Sequence, residues 1–182
     1  MLKTLVLVLS WFFSGAICAY AQSWPAPQPP IFPKADPYVI IPGAALPPTS
    51  RSVYRAVFDS TRMASKPDAL TPAVNAVGGL LNDLAAAKIP ASGRRFVIVF
   101  HGAATDGILD NAHYRAKFGI DNPNLPVLAE MRKSGIELFV CGQHLAANNI
   151  DPKSLSKDVK VASDAYLVLI GYQNKGYAVM LF

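Results

Sequence analysis

The sequence predicts a three-layer α/β/α sandwich built on a mostly parallel five-stranded sheet. Three observations carry that expectation. Residues 96–100 (FVIVF) and 136–140 (IELFV) are nearly unbroken apolar runs, the pattern of parallel strands covered on both faces. Between the strand-like runs, apolar residues recur at helical spacing. The resulting order, βα, βαα, βα, βα, β, joins buried strands through helical crossovers, and such crossovers place helices on both faces of a parallel sheet.

The chain opens on an address rather than on this domain. Residues 1–21 read as a secretory signal: Lys3 is the positive start, residues 5–17 form the apolar core, and Ala19-Tyr20-Ala21 offers small residues at the cleavage positions. The apolar core is short for a span of about 20 residues, so an uncleaved membrane anchor fits less well. A lipoprotein reading of Cys18 is weak, because Ile17 stands where a small residue is needed. Removing 21 residues from 182 leaves 161, with Gln22 first. Lys3 and Cys18 leave with the signal, which lowers the net charge from +5 to +4 and makes Cys141 the sole cysteine. The expected location is the periplasm, with no stable membrane insertion after cleavage and in a compartment where disulfides persist.

Residues 22–52 form a proline-rich arm. Nine of the chain's 15 prolines fall between positions 22 and 50, which rules out a helix or a central strand there. Tyr38-Val39-Ile40-Ile41 is apolar enough to dock on the domain or a neighbour, and a free tether is the alternative. The domain proper spans residues 53–182.

Tyr54-Arg55-Ala56-Val57-Phe58 reads as the first strand. Thr71 is the expected cap of a helix with Pro72 in its first turn, where a missing N–H costs nothing. Val74, Val77, Leu81 and Leu84 give that helix a buried face. Gly78-Gly79 in its middle costs about 1 kcal/mol per glycine relative to alanine, and close packing against a strand would explain the pair. After the second strand come helices over residues 111–118 and 122–133, with Asn122-Pro123 as start signal and Gly135 as stop. Residues 160–162 form a short strand. Ser163 then caps a helix turning Ala165, Val168, Leu169 and Tyr172 inward, Gly176 ends it, and residues 177–182 are the last strand.

Composition excludes several classes. At 52% hydrophobic and 16% charged, the chain is not disordered. Its positive excess is scattered, so nucleic acid is not an expected partner. No glycine-rich phosphate loop precedes a helix, and the only glutamates are Glu130 and Glu137, so neither a nucleotide site nor a carboxylate pair is marked. Cys141 and His144 have the spacing of half a metal site, but His101 and His113 lie far off in sequence, so no metal and no cofactor is expected.

Sites in open parallel sheets lie beyond the carboxyl ends of the strands. Two ends are marked: His101-Gly102-Ala103-Ala104 follows residue 100, and Cys141-Gly142-Gln143-His144 follows residue 140. Each sets a reactive side chain at the strand end with a glycine after it, which permits a sharp turn and exposes backbone N–H groups. If the strands are neighbours, their ends lie about 5 Å apart, and Cys141 and His101 share a pocket as catalytic candidates. A thiol beside an imidazolium or facing turn amides is shifted toward thiolate, the nucleophilic form that attacks disulfide, persulfide or thiosulfonate sulfur. Gln143 is positioned to hold a donor's polar tail, and Arg115 either lies on a wet helix face or balances the thiolate. The alternative for Cys141 is plain packing, since free cysteine is among the most buried residue types.

The ordered set His101-Gly102-Ala103-Ala104, Tyr114-Arg115, Phe118-Gly119, Asn122-Pro123-Asn124, Val140-Cys141-Gly142-Gln143 and Gln173-Asn174-Lys175-Gly176-Tyr177 resembles the DsrE/DsrF-like family, in its exported branch. The resemblance spans residues 53–182 and leaves out the arm. It implies a compact α/β/α domain and homo-oligomers, often trimers or hexamers. It further implies that Cys141 matches the cysteine on which some members carry sulfur as a persulfide, with a small sulfur compound or a partner thiol as counterpart. His101, Gly102, Asn111, Tyr114, Asn122, Gly142 and Gln143 belong to the branch's pattern and are candidate site residues, without an assigned chemistry. The family's sulfur relays are cytoplasmic, whereas this chain carries an export signal. A non-catalytic oligomeric ligand-binding or structural protein is the alternative function.

Overall fold

A computed structural model describes residues 24–28 and 30–182; the expected signal segment, with Lys3 and Cys18, lies outside the described residues. Five strands form one sheet: β1 (Tyr54–Ser60), β2 (Arg94–Phe100), β3 (Glu137–Cys141), β4 (Lys160–Ala162) and β5 (Ala178–Leu181). Their spatial order is β4-β3-β2-β1-β5, and every neighbouring pair is parallel. The middle strands are the continuous apolar runs, because only they are covered on both faces. The edge strands β4 and β5 are short and largely exposed.

Two faces are covered unequally. The helices α1 (Pro72–Ala86), α2 (Asn111–Phe118) and α3 (Asn124–Lys133) follow β1 and β2. α1 packs on β1, β2 and α3, and α3 packs on β3. Under them lies the main core, with Phe58, Phe96, Ile98 and Phe100 from the sheet and Val74, Val77, Leu81, Leu84, Leu128 and Met131 from the helices. The opposite face carries one helix, α5 (Ala165–Gln173), which crosses β1, β2 and β3 to reach β5 at the far edge. Beneath it sits a smaller cluster of Val57, Val97, Val99, Cys141 and Ala165, flanked by Val168, Leu169 and Tyr172. A six-residue helix, α4 (Gly142–Ala147), leads from β3 toward β4. Each fully buried valine on the α5 face contributes about 1.5–3 kcal/mol by leaving water.

Four local expectations are corrected. Thr71 stands at the start of α1 without capping it; its N–H and its hydroxyl both donate to the Asn124 side-chain oxygen, at 2.8 and 3.3 Å. α5 is capped by Asp164, whose carboxylate accepts the Tyr166 N–H, and not by Ser163, because Asp164 is the extended residue that directly precedes the first helical one. The docking part of the arm is not residues 38–41, where Ile40 and Ile41 are exposed, but residues 32–36. Phe32, 3% exposed, and Ala35 enter the main core. The Asn82 side chain on α1 accepts the Phe32 N–H and donates to the Asp36 carbonyl, both at 2.9 Å. This docking also explains Gly78, which faces the arm and not a strand. A Cβ there would stand 2.4 Å from the Ala35 Cβ, so only glycine lets the arm lie this close.

Candidate functional site

β1, β2 and β3 end side by side at the carboxyl edge, and alternation decides which side chains share a face. Val57, Val97, Val99 and Phe139 point under α5. Two residues further along, Asp59, His101 and Cys141 fall on that same face. The β2–β3 register ends at Phe100 beside Val140, and its continuation sets His101 beside Cys141. The edge therefore presents a carboxylate, an imidazole and a thiol in a row.

The imidazole is held from one side. His101 Nε2 lies 2.6 Å from Asp59 Oδ1, with the two side chains 19% and 13% exposed. The Tyr166 ring of α5 meets the imidazole edge-on, with centroids 6.1 Å apart. Gly102 permits the turn after His101: its φ is +57°, in the left-handed region that disfavours other residues.

The sulfur is held from above. Cys141 is the last residue of β3, and only 6% of its surface is exposed. Its Sγ accepts two backbone N–H groups, from His144 in the first turn of α4 at 3.4 Å and from Ala165 at the start of α5 at 3.3 Å. It stands where a carboxylate oxygen stands at the starts of α2 and α5. Both donors supply positive partial charge to the sulfur. Gly142 allows β4 to close in; a Cβ there would be 2.7 Å from the Ala162 carbonyl oxygen. The strand-end pocket is closed over the sulfur: aliphatic neighbours and the first turn of α5 cover the thiol, yet two amide hydrogens point at it.

The remaining candidates lie elsewhere. Gln143 is exposed on α4, near Cys141 in sequence. Tyr114 is fully buried in the main core, and its hydroxyl donates to the Pro67 carbonyl at 2.7 Å. Asn122 is buried and donates to the Gly107 and Leu109 carbonyls, while its oxygen accepts the Asn124 N–H. Asn111 accepts the Asn122 N–H at 2.9 Å. These three residues tie the segment after β2 to the starts of α1 and α3 on the face away from Cys141. Arg115 pairs with Asp121 and does not reach the thiol. Among the described residues no cluster of three metal-ligating side chains occurs. A cavity of about 740 Å³ lies between Lys34, Asn111, Asn122, Pro126 and Asp158 and contains neither His101 nor Cys141.

Asp59 is a site residue that sequence reasoning misses, because the expected first strand ends at Phe58. The missed signal was alternation: Asp59 stands two residues after the inward Val57, at a carboxyl end like His101 and Cys141. Asn75 and Asn82 carry no local signal at all, since their partners lie 39 to 50 positions away, and the tie of Asn124 to Thr71 spans 53 positions.

A parallel sheet with helices on both faces, its polar and nucleophilic groups gathered at the carboxyl edge, defines the class of three-layer α/β proteins whose sites form at strand ends. Within that class, this chain belongs to the DsrE/DsrF-like family, whose model matches residues 70–182. No curated protein matches it. Among solved structures, it is similar to a protein of unknown function, MTH1491, from Methanobacterium thermoautotrophicum. That match has 19% identity and a TM-score of 0.54, and covers 71% of this chain and 99% of the other. The ychN protein from E. coli is matched over the same shares, with 13% identity and a TM-score of 0.47. The MTH1491 likeness bears on the fold alone.

Proposed function

We propose that this protein handles sulfur outside the cytoplasm through a persulfide on Cys141. The observation that carries the reading is the pair of backbone N–H groups aimed at Sγ at the carboxyl edge, beside the Asp59–His101 pair. Family membership supports it, because Cys141 matches the sulfur-carrying cysteine of some members. The deprotonated sulfur attacks the outer sulfur of thiosulfate or of a polysulfide. A new S–S bond forms to Cys141, the donor's own S–S bond breaks, and its electron pair leaves with sulfite or the shortened polysulfide. An acceptor thiolate then attacks the outer sulfur, and Cys141 departs as thiolate. Entry of a donor requires the first turn of α5 to lift from Cys141, since Ala165 covers it.

The export signal of residues 1–21 supports a periplasmic setting. Self-association belongs to the same proposal. α5 leaves Tyr166, Leu167 and Ile170 exposed on its outer side, and a second copy of the chain is the occupant that family resemblance implies. The test is mass spectrometry of the mature protein after incubation with thiosulfate or polysulfide. The expected result is gain of one sulfur atom on Cys141, lost on treatment with a reducing thiol and absent from Cys141→Ser. A Cys141 that gains no sulfur and resists alkylation in the folded protein defeats the reading. One observation favours a second reading, a non-catalytic binding module: the large cavity lies apart from the buried thiol. Full in vivo function of Cys141→Ser would decide for it.

A further inference from the structure

The Asp59–His101 pair has a geometry beyond that of a surface ion pair. The carboxylate meets Nε2, so in the neutral ring Nε2 carries the hydrogen and Nδ1 carries the lone pair. Nδ1 has no hydrogen-bond partner among the described residues. The ring sits next to Cys141 across the β2–β3 register and on the same face of the sheet. A carboxylate that fixes the tautomer of an imidazole, with a nucleophile on the neighbouring strand of the same face, has the parts by which unrelated folds activate serine and cysteine.

We infer that Asp59 is a positioning residue that holds His101 with Nδ1 free, and that His101 Nδ1 is the base taking the proton from Cys141. This deepens the persulfide reading and rests on Cys141 being the nucleophile. When α5 lifts, the thiol proton passes to Nδ1. The imidazolium so formed is balanced by Asp59, and the freed electron pair on sulfur makes the bond to the donor's outer sulfur. As Cys141 departs in the release step, the same proton returns to its sulfur or goes to solvent. Asp59 from β1 and Tyr166 from α5 meet the ring, and Cys141 follows as its neighbour on β3 by continuation of the strand register. Arg62 lines the cleft beside Asp59. Asp164, at the start of α5, is engaged by the Tyr166 N–H.

The test is the rate of Cys141 alkylation by iodoacetamide across pH 5 to about 10, a range that brackets imidazole and thiol titration, in the folded protein and three variants. Asp59→Asn keeps the shape but offers the ring a donor, which turns the tautomer and occupies Nε2. The expected result is a fall of at least about tenfold at neutral pH in Asp59→Asn and in His101→Gln, with the midpoint of the profile moved to higher pH. Asp59→Glu restores part of the rate. A purely structural ion pair would lower thermal stability without moving the midpoint. Profiles in Asp59→Asn and His101→Gln that superimpose on the native one overturn the inference, as does a native thiol that never alkylates. Sulfur loading measured in parallel separates the two claims. Loading with unchanged profiles sinks the relay alone, while Asp59-dependent alkylation without loading sinks the carrier reading alone.

Discussion

At the scale of single residues, short polar side chains at helix starts do much of the positioning. Asp110 shows the physics. Its Oδ1 accepts both the backbone N–H and the ring Nδ1 of His113, each at 2.8 Å. The backbone hydrogen bond first, and then the ring, holds its carboxyl below the usual carboxylate range. A lowered value means that ionised Asp110 stabilises the folded chain above the ordinary carboxylate pKa. That contribution is lost as pH falls through the lower folded value. Asp110→Ala should lose about 1 kcal/mol at neutral pH. In thermal unfolding at a series of pH values, the gap between variant and native should shrink toward acid. A gap independent of pH would mean that the carboxylate charge contributes nothing. On the other face, burial and then the Glu137 carboxylate, 2.8 Å from the phenol, push the Tyr172 hydroxyl far up, so it stays a donor at any physiological pH.

At the scale of elements, α1 and the arm form one unit. The two central glycines of α1 look alike in sequence, yet they face different surroundings. A Cβ on Gly79 would be 3.6 Å from the Asp36 Cβ, an ordinary contact, whereas one on Gly78 would overlap the Ala35 Cβ. Gly79→Ala should therefore stabilise by up to about 1 kcal/mol through helix propensity. Gly78→Ala should destabilise by roughly 1–3 kcal/mol through overpacking and loosen the arm. Denaturant midpoints check the signs, and limited proteolysis of residues 24–53 reports the arm. Equal effects at the two positions would show that the arm does not rest on α1 in solution. The second element of consequence is α5. Its amino end covers Cys141 while its outer side stays apolar and exposed, so the helix that shields the thiol is also the one expected to meet a neighbour.

At the scale of the whole molecule, the asymmetry of the layers is the governing feature. Three helices and the docked arm cover one face of the sheet, and a single nine-residue helix covers the other. The thin face then holds the polar row of Asp59, His101 and Cys141 at its edge. With Leu167 and Ile170 exposed above it, this face should be the one closed by association. Light scattering should give a mass above that of a single chain for the native protein, and the monomer mass for the pair Leu167→Asp and Ile170→Asp. A native monomer would remove association from the proposal.

Local residue pattern is enough to specify the sheet, its parallel sense and the places where reactive groups emerge. Runs such as residues 96–100 fit only a strand covered twice, and helical spacing between runs leaves few ways to connect them. Strand ends marked by His101-Gly102 and Cys141-Gly142 were legible for the same local reason. Tertiary structure alone decided which of the marked residues meet. Tyr114 and Asn122 became core and cross-tie, because their partners come from distant segments. Asp59 joined His101 because β1 lies next to β2 and runs two residues past its apolar stretch, to Ser60. The cover over Cys141 depends on α5 crossing the sheet from β4 to β5, a path set by packing between elements far apart in the chain. Local pattern encodes what a segment is, while the depth and company of a side chain depend on contacts that no short stretch of sequence contains.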